Sequence, residues 1–122
     1  MWNIAGFSLQ PGEKKKVTIE IPVEEMGKEK MYPMPATLIC GCGKGKTVLI
    51  TAGIHAGEYP GIPAVIRAAG EINPDKLNGN LIFIHCVNTS GFFKRTFGLI
   101  PEDDFNLNGQ YPGKAGGTTG ER

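Results

Sequence analysis

Two apolar runs bracket one amphipathic segment, and their order constrains the fold of this chain more than any other feature. Thr47-Val48-Leu49-Ile50-Thr51-Ala52 is a continuous apolar stretch of strand length, the kind expected where a strand is buried on both faces. A glycine-rich turn follows, and a helix is predicted to begin near Pro60 to Pro63, where proline is tolerated in the first turn. Its apolar positions Ile62, Val65, Ile66, Ala69 and Ile72 recur at helical spacing. Asn73-Pro74 stops it, Asn78-Gly79 reads as a tight turn, and Leu81 to Val87 reads as another buried strand.

Upstream, Val17-Thr18-Ile19-Glu20-Ile21-Pro22-Val23 alternates apolar with polar residues, as a half-buried strand does. The charged stretch from Glu24 to Tyr32 reads as a loop. Pro33 and Pro35 bracket the entry to a strand over Ala36-Thr37-Leu38-Ile39-Cys40, and Gly41 to Lys46 reads as a flexible turn. The central order is therefore strand, strand, helix, strand, which implies α/β architecture with a sheet covered by helix. From Thr89 to Arg122 no periodic element is legible, only a long segment rich in Gly, Asn, Asp and Pro. Structureless segments of that length are uncommon inside a complete compact domain.

Composition narrows the functional classes. A chain of 122 residues with 40% hydrophobic and 20% charged residues is long enough for one domain with a core. A formal net charge of +1 gives no field that argues for nucleic acid or an anionic membrane. Three cysteines, Cys40, Cys42 and Cys86, form no disulfide framework and fit a reducing cytoplasm. The first residues, Met-Trp-Asn-Ile-Ala-Gly, lack the basic and apolar regions of a signal peptide. No apolar run reaches bilayer-spanning length.

The turn after the first apolar run carries the chemistry. Gly53-Ile54-His55-Ala56-Gly57-Glu58-Tyr59-Pro60-Gly61 places an imidazole and a carboxylate three residues apart between glycines. Both are good zinc donors at neutral pH, and a catalytic zinc needs one more protein ligand and an open position for water. The competing explanation is a polar turn that caps the following helix, since a carboxylate favours a helix N-terminus. If the turn follows a buried strand, it lies at the carboxyl end of the sheet, where open α/β folds place their ligands.

A second signature lies downstream, Asn106-Leu107-Asn108-Gly109-Gln110-Tyr111-Pro112-Gly113. Together with His55-Ala56-Gly57-Glu58 it resembles the succinylglutamate desuccinylase/aspartoacylase family over roughly residues 36 to 122. The resemblance implies a zinc carboxypeptidase-like fold: part of a mixed β-sheet with a flanking helix, incomplete at the C-terminus. It implies residues 1–35 as N-terminal strands and linker, and residues 36–122 as the N-terminal portion of a zinc-hydrolase catalytic domain. Carried over position by position, His55 and Glu58 match the first two zinc ligands. Asn108 matches an asparagine that helps hold a substrate carboxylate. Arg95 is similar to an arginine that polarises the scissile carbonyl.

Two departures stand out. The arginine that follows the matched asparagine in the family is Gly109 here, and glycine cannot form a bidentate clamp on a carboxylate. The family's third zinc ligand and general-base glutamate fall beyond Arg122. The expectation is therefore a zinc-dependent amidohydrolase of small N-acyl amino acids or related amides, incomplete and inactive as this chain. The rival expectation is a non-catalytic binding or assembly module of the same fold. An uncovered sheet edge would favour self-association.

Other residues have plainer explanations. His85, the one other histidine, reads as a hydrogen-bonded core or sheet-end residue, with a substitute third zinc ligand as the sharper alternative. Cys40-x-Cys42 lacks the second ligand pair of a zinc knuckle, and Cys86 reads as core. Gly41 to Thr47 resembles a phosphate-binding loop at its Gly-Lys-Thr end but leads into a strand, whereas such a loop must open a helix. Lys14-Lys15-Lys16 reads as a solvated face, and Glu102, Asp103 and Asp104 as solvated turn carboxylates.

Overall fold

A computed structural model describes all of residues 1–122. The sheet is built on one long hairpin. β3 (Lys14–Glu25) and β4 (Lys28–Cys40) pair antiparallel along their whole length, from Lys14 opposite Ile39 to Glu25 opposite Lys28. They follow a small hairpin of β1 (Trp2–Ile4) and β2 (Phe7–Leu9). The stretch from Glu24 to Tyr32 is thus strand and not loop. Only Met26 and Gly27 turn, both at positive φ (51° and 73°), as a two-residue hairpin turn of the primed type requires. Met-Gly is a weak version of that signal, which is why the charged flanks hide the hairpin.

Pro33 and Pro35 sit inside β4 without breaking it. The Pro33 carbonyl accepts from the Thr89 hydroxyl and the Pro35 carbonyl from the His85 amide. Their backbone edges therefore face away from β3, where a missing N–H removes no hairpin bond. β4 runs unbroken through residue 35, so residues on both sides of that point share one sheet.

β5 (Gly43–Thr51), α1 (Gly61–Glu71) and β6 (Asn78–Ile84) complete the mixed sheet, in the order β3-β4-β6-β5. β6 is antiparallel to β4 and parallel to β5, so α1 is the crossover between parallel neighbours. Asn78-Gly79 opens β6 instead of forming a free turn. Gly79, at φ 95°, sits so close to Lys46 that a Cβ would lie 2.3 Å from its carbonyl oxygen, beside the register shift between Gly43 and Thr47.

α1 covers one face: Val65, Ala69 and Ile72 pack with Ile39, Ile50, Leu81 and Phe83. Each such aliphatic or aromatic side chain, when fully buried, contributes about 1.5–3 kcal/mol. No basic residue lies in the last turn of α1. Lys14 supplies the missing charge from the sheet, its Nζ donating to the carbonyls of Ala69 and Gly70 at 2.8 and 2.9 Å. The lysine run is therefore not wholly solvated.

The opposite face is covered in two places. The β1–β2 hairpin packs Trp2, Ile4, Phe7 and Leu9 against Val17, Leu38 and Cys40. Ile100 and Leu107, from the segment after β6, pack against Val23 and Tyr32. Between the two covers runs an apolar groove of about 350 Å³, bordered by Ile4, Ile19, Met34, Leu49 and Ile82. β5 is an edge strand, with Val48 49% and Leu49 56% exposed. Its apolar run is not buried on both faces, because α1 and the later segment both centre on its neighbours.

The segment after Asn88 holds a short helix that periodicity missed, α2 (Thr89–Lys94), and a single 3-10 turn at Leu107–Gly109. Asn88 is fully buried; its Oδ1 accepts from the Gly91 amide as the helix cap, and its Nδ2 donates to the Leu99 carbonyl. A six-residue helix is too short to show a hydrophobic period, and the cap is its legible signal.

Candidate functional site

The turn carrying His55 begins where β5 ends. Ala52 and Gly53 continue alongside the chain leaving β6: the Ala52 carbonyl accepts from Val87, and the Gly53 carbonyl from Asn88. Gly53 adopts φ 66°, and a Cβ there would lie 2.7 Å from the Cys86 sulfur. Glycine is needed for both reasons. The chain then folds over so that the Glu58 amide donates to the His55 carbonyl at 3.0 Å. Gly57 allows a second close approach: its amide donates to the Phe97 carbonyl at 2.9 Å, and a Cβ would meet the Phe97 ring at 2.2 Å. The loop after α2 is thereby docked on the His55 turn.

His55 is held at both ring nitrogens. Nδ1 lies 3.1 Å from Glu58 Oε1, and Nε2 lies 2.9 Å from Asn106 Oδ1. The Asn106 oxygen also accepts the backbone N–H of Asn108 at 3.0 Å. That oxygen is an acceptor in both contacts, so Nε2 carries a proton and donates. The neutral ring then has its lone pair on Nδ1, directed at the side of Glu58. The same two acceptors stabilise the imidazolium, and the Asn106 bond, followed by the Glu58 bond, raises the His55 pKa above its ordinary value.

The imidazole and carboxylate converge on one region, as two ligands of one cation must. Zinc–ligand bonds of about 2.0–2.2 Å at near-tetrahedral angles place ligand atoms about 3.3–3.6 Å apart; the observed Nδ1 to Oε1 separation of 3.1 Å is slightly shorter, within a small side-chain adjustment of that spacing. No group of three or more His, Cys, Asp or Glu side chains that could hold a metal together occurs in the chain. His85 does not supply a third donor: its Nε2 is bonded to the Thr37 hydroxyl at 2.8 Å on the α1 side of the sheet. Burial, and then the charge of Lys16, lowers its pKa.

The other anticipated residues lie nearby on exposed chain. Arg95 ends α2 in the left-handed region (φ 59°), exposed, with no hydrogen bond or ion pair from its guanidinium. Two residues later Phe97 docks on Gly57. Asn108 is exposed and meets Asn106 through its backbone. Gly109 faces open space. Sequence reasoning assigned no role to Asn106, the residue that orients His55; the signal was present in the Asn-Leu-Asn repeat, whose first member caps its own turn. Gly43 to Thr51 is strand, so the Gly-Lys-Thr segment opens no helix and offers no phosphate cradle. Cys40 and Cys86 are buried, Cys42 is exposed, and all three are free.

Residues 44–122 match the model of the succinylglutamate desuccinylase/aspartoacylase catalytic domain. The chain belongs to that family. An N-alpha-acetyl-L-2,4-diaminobutyric acid deacetylase from Halomonas elongata is 33% identical over 82 residues, which are 66% of this chain and 23% of that protein. The product-bound ectoine utilization protein EutE (DoeB) from Ruegeria pomeroyi superimposes with a TM-score of 0.78 at 26% identity, over 94% of this chain and 35% of that one. A succinylglutamate desuccinylase/aspartoacylase from Rhodobacter sphaeroides gives 0.76 at 26% identity, over 92% and 34%. The chain thus spans about a third of these structures and about a quarter of the deacetylase. The family and its relatives are deacylating hydrolases of amide bonds, and the mixed sheet with its flanking helix is the family fold.

Proposed function

We propose that this chain carries one side of the metal site of a zinc-dependent amide hydrolase acting on a small N-acyl amino acid or related amide. The observation that supports this most is the convergence of His55 Nδ1 and Glu58 Oε1 at 3.1 Å beyond the carboxyl end of β5, with the His55 proton held on Nε2 by Asn106. The pair fits two of the ligands of a catalytic zinc by donor type and lies close to the spacing such ligands take, and no group of three metal-type donors is found among these residues. Bound zinc would polarise the scissile carbonyl and lower the pKa of its water to about 7.

The chain's own groups have distinct parts in this reading. Asn106 fixes the tautomer and tilt of His55. Arg95, unpaired and exposed, stabilises the oxyanion that develops on the carbonyl. Asn108 holds a polar substrate group. Gly109 leaves the adjoining space without a guanidinium, so a substrate carboxylate is not clamped there. With two metal ligands and no general base, the 122-residue chain is inactive or very weak. The three free thiols support a reducing compartment such as the cytoplasm. No helix is long and apolar enough to cross a membrane.

Zinc affinity of the purified chain, measured by competition with a chelator, tests the reading. His55→Ala and Glu58→Gln should each abolish or greatly weaken a one-to-one site; unchanged affinity in both variants overturns it. A second reading, a non-catalytic binding module, is favoured by Gly109, which stands where the family carries an arginine. It predicts ligand binding without hydrolysis even when the missing metal ligand and base are supplied by a longer chain.

A further inference from the structure

The side chain of Glu102 is fully excluded from solvent. This overturns the expectation of a solvated turn acid. One oxygen accepts from Lys30 Nζ at 2.9 Å and the other from the Ser90 hydroxyl at 2.7 Å. Lys30 is shared with Glu25 at 2.6 Å, and the Tyr32 hydroxyl meets both Oγ and the amide of Ser90 at 3.1 Å. A buried charge is tolerated only when paired and hydrogen-bonded, and here both oxygens are satisfied.

The position of this pair matters more than its burial. β6 pairs with β4 only along Ala36 to Cys40, so β3 and β4 project beyond it as a two-stranded arm. The later half of the chain is fastened to that arm: Thr89 to the Pro33 carbonyl, Thr119 to the Glu24 carbonyl, and Glu102 to Lys30. Glu102 lies inside a closed turn in which the Ile100 amide donates to the Phe105 carbonyl and the Asp104 amide to the Ile100 carbonyl. Asn106 is the next residue out of that turn. Ile100 and Leu107, on either side, are seated against Val23 and Tyr32 of the arm.

We propose that Lys30 and Glu102 are a positioning pair that holds the turn 100–105 on the β3–β4 arm and so presents Asn106 to His55. Lys30 lies outside residues 44–122, the part that matches the family's catalytic domain. The N-terminal hairpin is then a working part of the site, not an appended element. The pair touches neither substrate nor metal and acts through Asn106. Its relevance to metal binding rests on the reading of His55 given above; its effect on the His55–Asn106 contact does not.

The test is the His55 tautomer in the 122-residue chain, read by long-range proton–nitrogen correlation of the imidazole at alkaline pH. The unaltered chain should show the proton on Nε2. Lys30→Met should give a mixture of tautomers and shift the Asn106 side-chain amide, while the Gly41 amide, bonded to Gly79 across the far end of the sheet, stays in place. Lys30→Arg should restore the Nε2–H form. A pure Nε2–H tautomer in Lys30→Met overturns the proposal, whatever happens to its melting temperature. Should Lys30→Met not fold, Ser90→Ala withdraws the hydroxyl that serves both Glu102 and Tyr32 and should move the same signals less far, with Tyr32→Phe as the control for the Tyr32 contact; no movement in Ser90→Ala overturns the proposal. Zinc affinity separates the two readings. A loss of about tenfold alongside the tautomer change supports both. A tautomer change with undiminished zinc binding upholds the positioning pair and removes His55 from the metal site.

Discussion

Asn106 reaches the Nε2 edge of His55 at 2.9 Å across 51 residues of sequence. Its oxygen simultaneously receives the Asn108 amide, so the contact sets the imidazole tautomer as well as its tilt. Asn106→Ala should weaken zinc binding by about 10- to 100-fold, the usual effect of removing a partner behind a metal-ligating histidine. Stability should fall by only about 1 kcal/mol, because the contact is exposed to water on one side. Chelator competition and thermal melts of the same preparation separate the two effects.

The two histidines should shape the pH dependence of stability in opposite directions. Acceptance by Asn106 and Glu58 raises the His55 pKa above 6.5. Its contribution is therefore complete below that value and is lost as pH rises through the folded-state pKa. Desolvation lowers the His85 pKa below 6.5. Its contribution is present above 6.5 and is lost as pH falls through its own folded-state pKa. Melting curves across pH should show His55→Gln flattening the alkaline slope and His85→Gln flattening the acid slope. The opposite assignment would show that one of the two environments is misread.

Gly53 should tolerate no side chain. Alanine there would add about 1–2 kcal/mol for the left-handed backbone, and its Cβ would press on Cys86 at 2.7 Å. Gly53→Ala should therefore lower stability by about 2 kcal/mol or more and displace the His55 turn. Gly70→Ala, which faces open space inside α1, should instead stabilise by about 0.5–1 kcal/mol. Urea unfolding of both variants checks the contrast.

Gly109 is the site where a longer side chain has room. Nothing lies within 4 Å of a Cβ built there, and its φ does not lie in the left-handed region. Gly109→Arg should change stability by less than about 0.5 kcal/mol. If the missing guanidinium limits substrate choice, the variant should bind N-acyl amino acids with a second carboxylate more tightly than the unaltered chain does. Equal affinity, measured by calorimetry, would separate Gly109 from substrate selection.

The exposed edge of β5 and the apolar groove beside it would let a second copy pair. Concentration-dependent association is the expected result of sedimentation, and Leu49→Lys, which places a charge on the exposed edge at the groove, should suppress it. A monomer at high concentration in the unaltered chain would remove this expectation.

The local features of this fold were legible because local physics decides them. The helix from Gly61 to Glu71 follows from apolar spacing and from proline in its first turn, and the β5 and β6 cores follow from apolar runs. The pairing of His55 with Glu58 was legible because both members lie on one turn. The length of the β3–β4 hairpin was not, since Met26-Gly27 is a poor turn signal and Pro33 and Pro35 mimic strand breakers unless one knows which edge they face. α2 is too short to show a period.

What the sequence by itself determined is the central order of strand, strand, helix and strand, the chemical character of the His55 turn and the family. Tertiary structure alone decided that Asn106 orients His55, that His85 turns to Thr37, and that Glu102 is sealed against Lys30 and not solvated. Each of these depends on contacts between residues 48 to 72 positions apart. Such contacts are fixed by how β4 pairs with β6 and how the later loop closes on the β3–β4 arm and the His55 turn, and no local pattern of residues encodes that closure.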